Sequence, residues 1–264
     1  SVSEETSGGL TVPNLYNISA SADRPSVSNT TREKEVRSVY GTANIGWKDM
    51  VYADITLRND WSSALPEENN SYLYYGFSGS FVFTELSAFD NVDWLTFGKI
   101  RASMAQVGDD LDPYQVTSSY NVQPPRGGYP AMRVPRTRFN PNLEAAISTD
   151  YELGADLRFL SGRLRLDGTW YQSVSENEIL NLQLSATSGY DQLLVNAGEF
   201  NKTGLEFQFG GTPIETQNFT LNTTLNWGKL LTNEVVELAP QIHSRSLGQA
   251  QFFAQLYAGE GDEW

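Results

Sequence analysis

The sequence predicts an all-β fold: an antiparallel, up-and-down β-barrel that crosses a membrane, of which this chain supplies a part, with long loops at one end. Three observations point there. Eight stretches alternate apolar and polar residues, and the loops between them alternate short and long. Several stretches also run to about twelve residues, against a usual length of about 5–6 in globular sheets. The alternation is cleanest over residues 147–159. Ile147, Thr149, Tyr151, Leu153, Ala155, Leu157 and Phe159 fall on one face, and Ser148, Asp150, Glu152, Gly154, Asp156 and Arg158 on the other. Successive strand side chains point to opposite faces, so this segment has one greasy and one charged side.

In chain order, residues 38–45 set Val39, Gly41, Ala43 and Ile45 against Ser38, Tyr40, Thr42 and Asn44, and a tight turn follows at 46–49. Residues 50–60 place Val51, Ala53, Ile55 and Leu57 opposite Tyr52, Asp54, Thr56, Arg58 and Asp60. A turn-rich connection, 61–71, leads to residues 72–83, with Leu73, Tyr75, Phe77, Phe81 and Phe83 on one side. Residues 84–95 connect onward with a short helical turn at Leu86–Phe89, and residues 96–107 alternate Ile100, Ala102 and Met104 with Lys99, Arg101 and Ser103.

A long loop rich in Pro, Gly and Arg, 108–146, precedes the strand at 147–159. A tight turn at 160–162 then gives 163–175, and a long connection, 176–202, gives 203–212. A short turn at 213–217 gives 218–228. Residues 1–37 and 229–264 read as mostly irregular, with a possible strand from Leu10 to Ile18. In a meander every second loop lies at the same end, so the short turns collect at one end and the long loops at the other, the asymmetry of outer-membrane barrels. Trp47, Trp61, Tyr72, Tyr74, Trp170, Tyr171 and Trp227 fall near strand ends, as interface girdles do.

Composition narrows the function. No run of about 18 apolar residues could span a bilayer as a helix, but a barrel strand needs only about 10 residues, half of them facing lipid. The net charge of −14 argues against nucleic acid as a partner. The chain has no cysteine and a single histidine, His243, which disfavours thiolate or histidine metal centres and a histidine-based triad. Nothing calls for a cofactor or for a catalytic residue. The polar opening at Ser1–Glu4 and the ending at Gly261–Trp264 read as cuts in a longer protein. The one-sided pattern alone also fits a soluble carbohydrate-binding β-sandwich or glycosidase module with its greasy face inward, or a passive porin.

Several motifs carry a resemblance. Arg58-Asn59-Asp60-Trp61-Ser62-Ser63-Ala64-Leu65-Pro66 is one, and Gly98-Lys99-Ile100-Arg101-Ala102-Ser103 with Val107-Gly108 another. Asn140-Pro141-Asn142-Leu143 precedes Tyr151-Glu152-Leu153-Gly154. A last block runs Ser188-Gly189-Tyr190, Val195-Asn196-Ala197-Gly198-Glu199, and Asn201-Lys202-Thr203-Gly204-Leu205-Glu206. In this order they resemble the SusC/RagA-type TonB-dependent transporters. The resemblance implies a barrel of about 22 strands closed by an N-terminal plug in a Gram-negative outer membrane, of which residues 1–264 supply about nine strands. It also implies a SusD-like surface lipoprotein as lid, energy from the TonB complex through an N-terminal part not in this chain, and import of a glycan or peptide without chemistry on the cargo.

Three candidate sites lie in the longest loop. Arg126, Arg133, Arg136 and Arg138 could grip anionic substrate or lipid phosphates, although Asp109, Asp110, Asp112 and Glu144 could pair with them. Tyr114, Tyr120 and Tyr129 could stack on sugar rings or peptide side chains. Asp109, Asp110 and Asp112 form a weak calcium candidate, since hard oxygen ligands suit Ca²⁺ but the spacing is not that of an EF-hand loop.

Overall fold

The computed structural model describes residues 2–238, 245–249 and 255–262; His243 lies outside them. The chain divides into two compact units at residue 35. The first is a hairpin of β1 (Val2–Leu10) and β2 (Ser21–Asn29), paired antiparallel. The strand expected from Leu10 to Ile18 is absent, and β1 ends where that strand was placed to begin. Pro13 offers no backbone donor, Asn14 takes a positive φ of 66°, and Asn17 caps the 3-10 turn Ile18–Ala20 by accepting from the Ser19 N–H at 2.9 Å.

The second unit is built on one eight-stranded antiparallel sheet. Its members are β3 (Val36–Trp47), β4 (Val51–Ser62), β5 (Ser71–Val82), β6 (Leu95–Asp109), β10 (Ala146–Phe159), β11 (Leu164–Glu176), β14 (Glu199–Glu215) and β15 (Thr220–Glu237). Each pairs with the strand before and after it in this series, and the sheet is not closed on itself. Each of the eight alternating stretches is a strand, and most run further than the alternation alone indicated. The last extends to Glu237 because the Thr203/Gly204 bulge shifts the apolar–polar phase without breaking the ladder.

The connections sort as expected. At one end lie the turns after β3, β10 and β14 and the connection from β5 to β6, which is folded into 3-10 turns at Phe83–Glu85 and Ser87–Phe89. At the other end lie the long loops. The 108–146 segment is more ordered than its composition suggested. It holds a hairpin of β7 (Asn121–Arg126) and β8 (Tyr129–Arg133), turned by Gly127 and Gly128 at positive φ, and the two-residue β9 (Thr137–Arg138). In the next loop β12 (Ile179–Gln183) and β13 (Gln192–Asn196) pair antiparallel, and β9 adds to β13 in parallel, so the two long loops share a three-stranded sheet. Near the C-terminus β16 (Arg245–Gln249) pairs with β17 (Gln255–Ala258).

Burial inverts the arrangement of a sandwich. The apolar sheet face carries rows such as Ile45–Ala53–Gly79–Ala102–Leu153–Trp170–Leu205, yet Val39, Leu153 and Leu225 are 66%, 58% and 64% exposed. Among the described residues of this unit no second layer covers it. The buried core sits among the long loops instead: Ala64, Leu65, Leu111, Leu143, Ala145 and Leu194 form one cluster, and Ala197, Phe200, Val235 and Leu238 another. A band of exposed aliphatics on a single-layer sheet has hydrocarbon as its natural solvent.

Toward the loop end the apolar face becomes amide-rich. Gln106 donates to Thr149 Oγ1 at 3.2 Å, and Gln172 to Asn201 Oδ1 at 3.0 Å. The expected aromatic girdles hold only in part. Trp47 and Trp61 do share the apolar face, near opposite ends of their hairpin, whereas Tyr72 and Tyr74 share the polar face with Asp60 and Arg58, and Trp170 sits mid-strand opposite Leu153.

Candidate functional site

The polar face of the sheet carries the charge. At its centre Arg101 on β6 reaches past β10 to β11, where its two Nη atoms donate to the two Asp167 carboxylate oxygens at 2.7 and 2.8 Å and one of them to Thr169 Oγ1 at 2.6 Å. The crossing is open because residue 154 between them is glycine; a Cβ there would stand 2.7 Å from Arg101 Nε. Asp167 is therefore held by Arg101 and not by Arg165, two residues away on its own strand. Asp156 does pair with Arg158, within one strand, at 3.2 Å. Further along, Asn44 donates to Asp54, and Ser78 does so at 3.0 Å. Nearer the loops Asp60, only 4% exposed, accepts from Arg58 Nε and Nη2 at 2.8 and 3.1 Å and from the Tyr74 hydroxyl at 2.9 Å. The carboxylates at these positions are thus hydrogen-bonded within the face. A cleft of about 620 Å³ lies in it, lined by Arg101, Glu152, Asp167, Glu206, Gln208 and Asn226 among others.

The candidate residues of the longest loop do not form one pocket. Arg126 and Tyr129 pair at the tip of the β7–β8 hairpin, and Arg133 lies opposite Asn121 at its base. Tyr114, Tyr120 and Tyr129 are all exposed, the last by 77%. Arg136 pairs with Asp191 at 3.1 Å, and Arg138 lies beside Leu193 where β9 joins β13. Two of the four arginines thus belong to the loop sheet, and Arg126, Arg133, Tyr120 and Tyr129 gather on and beside the hairpin. Asp109, Asp110 and Asp112 do not converge: among the described residues no three His, Cys, Asp or Glu groups are placed to hold a metal ion. Asp109 still pairs in the ladder with Ala146, while Leu111 between the other two is buried.

Sequence reasoning missed the role of the shared motifs, which is to knit the loop end together. Leu143, fully buried, anchors the loop core. Asn69 Nδ2 donates to the Leu143 carbonyl at 3.4 Å. Asn196 accepts from the Glu144 N–H at 2.9 Å and donates to the Glu144 and Asn177 carbonyls, both at 2.9 Å. One amide side chain thereby ties both long loops together. An Asn set between apolar residues and an Ala-Gly pair was the available signal.

The architecture can now be set beside known proteins. The family model described as TonB dependent receptor-like, beta-barrel matches residues 5–254. This chain belongs to that family. It is 27% identical over 227 residues to TonB-dependent receptor P3 of Formosa agariphila, which covers 84% of this chain and 22% of that protein. It is 25% identical over 214 residues to TonB-dependent receptor SusC of Bacteroides thetaiotaomicron, which covers 76% of this chain and 21% of that one. The solved structure of the RagAB peptide transporter matches with a TM-score of 0.81 at 19% identity, over 96% of this chain and 28% of its own. At that identity the likeness concerns the fold. The chain spans about a fifth of the length of these curated relatives, so it is a SusC/RagA-like segment of a TonB-dependent receptor barrel. The sheet's open edges are those of a partial barrel.

Proposed function

We propose that the protein to which this chain contributes imports a nutrient across the outer membrane, without chemistry on the cargo, and that residues 36–238 form part of its barrel wall and external loops. The observation that carries this reading is the single-layer sheet with exposed aliphatics on one face and a continuous charged face on the other. Lipid suits the first and a water-filled hollow the second. Family membership supports energisation through TonB, and likeness to SusC and to RagAB supports a SusD-like lipoprotein lid over the loop end. The cargo is a glycan or a peptide, and Arg126, Arg133, Tyr120, Tyr129, Tyr114, Arg136 and Arg138 are its proposed contacts.

The soluble sandwich or glycosidase reading loses support from the uncovered apolar face. To test the import reading, the full-length protein is extracted from outer membranes, its co-purifying lipoprotein and ligand are identified by mass spectrometry, and uptake of that ligand is followed after gene deletion. Import should cease both in the deletion strain and when TonB is disrupted. Uptake that persists without TonB would instead indicate a passive pore, and extraction without detergent a soluble module.

A further inference from the structure

Near the short-turn end of the charged face, Arg158 on β10 and Arg165 on β11 stand directly opposite one another in the ladder. Like charges facing across an antiparallel pair repel, and here the usual relief is incomplete. Asp167, the natural partner of Arg165, is taken bidentately by Arg101. Arg165 is left with a 3.4 Å contact from Nε to the Gly162 carbonyl. Arg158 has one 3.2 Å contact to Asp156 and lies over the Phe97 ring at 4.5 Å. Lys99 lies opposite Asp156 in the next row, so Lys99, Arg158 and Arg165 have only Asp156 beside them that Arg101 does not already hold, while Glu152 and Glu206 lie on the Arg101 side.

The surroundings are open and polar. Residue 210, opposite Arg165, is glycine, and a cleft of about 370 Å³ runs from the two arginines to Gln208, Asn222 and Thr224, with Asp156 and Asp167, already paired to Arg158 and Arg101, on its wall. We propose that Arg158 and Arg165 form an oxyanion seat on this wall, which takes a carboxylate between the two guanidinium forks. Paired guanidinium groups bind carboxylates by parallel, charge-assisted hydrogen bonds, and Gln208, Asn222 and Thr224 line the same cleft. The carboxylate comes either from a free solute or from a side chain of the polypeptide beyond this chain. Such a seat needs only a face that meets water, whether or not the protein is an importer.

Phenylglyoxal labelling of the full-length protein in detergent tests it. Modification of Arg158 and Arg165 is compared by mass spectrometry with that of the exposed loop residues Arg126 and Arg133, in buffer free of oxyanions and then with malonate. A solute seat predicts labelling at the loop rate in plain buffer, slowed at least about fivefold by about 50 mM malonate, well above a roughly millimolar Kd, with the loop arginines unchanged. A seat filled by the protein's own carboxylate predicts labelling about fivefold slow without malonate and sped at least about twofold in about 1 M sodium chloride, where a Debye length of about 3 Å weakens the pair without abolishing it. Labelling at the loop rate in every buffer, or slow labelling that neither malonate nor salt alters, would overturn the proposal.

Discussion

Arg101 reaches across a neighbouring strand because residue 154 has no side chain in the way. The ion pair it makes is about one-third exposed on both partners, so solvent screening reduces the contribution of its hydrogen bonds to about 1 kcal/mol. Gly154→Ala should remove most of that contribution without touching either charged group. In urea unfolding of the full-length barrel in detergent, Gly154→Ala and Arg101→Ala should each cost about 1 kcal/mol, and the double variant little more than either, because the two share one contact. Full additivity would place the effect of residue 154 elsewhere. A second residue-scale prediction concerns Leu160, held at φ 52° in the turn between β10 and β11. A left-handed conformation costs an ordinary L-residue about 1–2 kcal/mol, and this leucine is exposed. Leu160→Gly should raise the unfolding midpoint, and a lowered midpoint would show that its side chain makes a contact worth more than the strain.

The β10–β11 hairpin shows what an element owes to its two solvents. Leu153, Leu157 and Phe159 face out with Trp170, Leu166 and Leu164, while Glu152, Asp156 and Arg158 face the hollow. Leu153→Arg should impair membrane assembly by about 2–4 kcal/mol, the midplane cost of a cation on the lipid face. Thr56→Arg, on the wet face of β4, should assemble nearly as well as the parent. Folding into lipid vesicles, followed as the heat-modifiable band on a gel, separates the two, and equal damage would reverse the facing. This period-two signal is why the sheet strands were legible in the sequence: each face meets one solvent, so each residue declares its side. The loop strands β7, β8, β9, β12 and β13 were not legible. Their apolar residues bury against other loops, as Leu194 does with Leu143, and such contacts leave no period. The site was legible only as residue types. The Arg101 clamp depends on register across three strands, and the sorting of Arg136 away from Arg126 depends on a parallel pairing of two residues.

For the whole molecule, the sheet's two outer strands decide what this segment can do alone. Among the described residues β3 pairs only with β4 as a strand, and β15 only with β14, leaving two long edges with no partner strand, although Val235 of β15 bonds Gly261 and Asp262 through its backbone. In a bilayer each unpaired backbone group costs several kcal/mol, which is why only closed barrels span it as sheets. The apolar face, exposed among the described residues of this unit, makes water equally unsuitable. Residues 1–264 expressed alone should therefore neither insert into vesicles nor remain monomeric in buffer, and should pellet on centrifugation without protease-protected fragments. Supplying the rest of the polypeptide in the same chain should restore a detergent-soluble, heat-modifiable form. Recovery of the segment alone as a protease-resistant monomer in vesicles would mean that its edges are satisfied internally, and the partial-barrel account of the fold would fail.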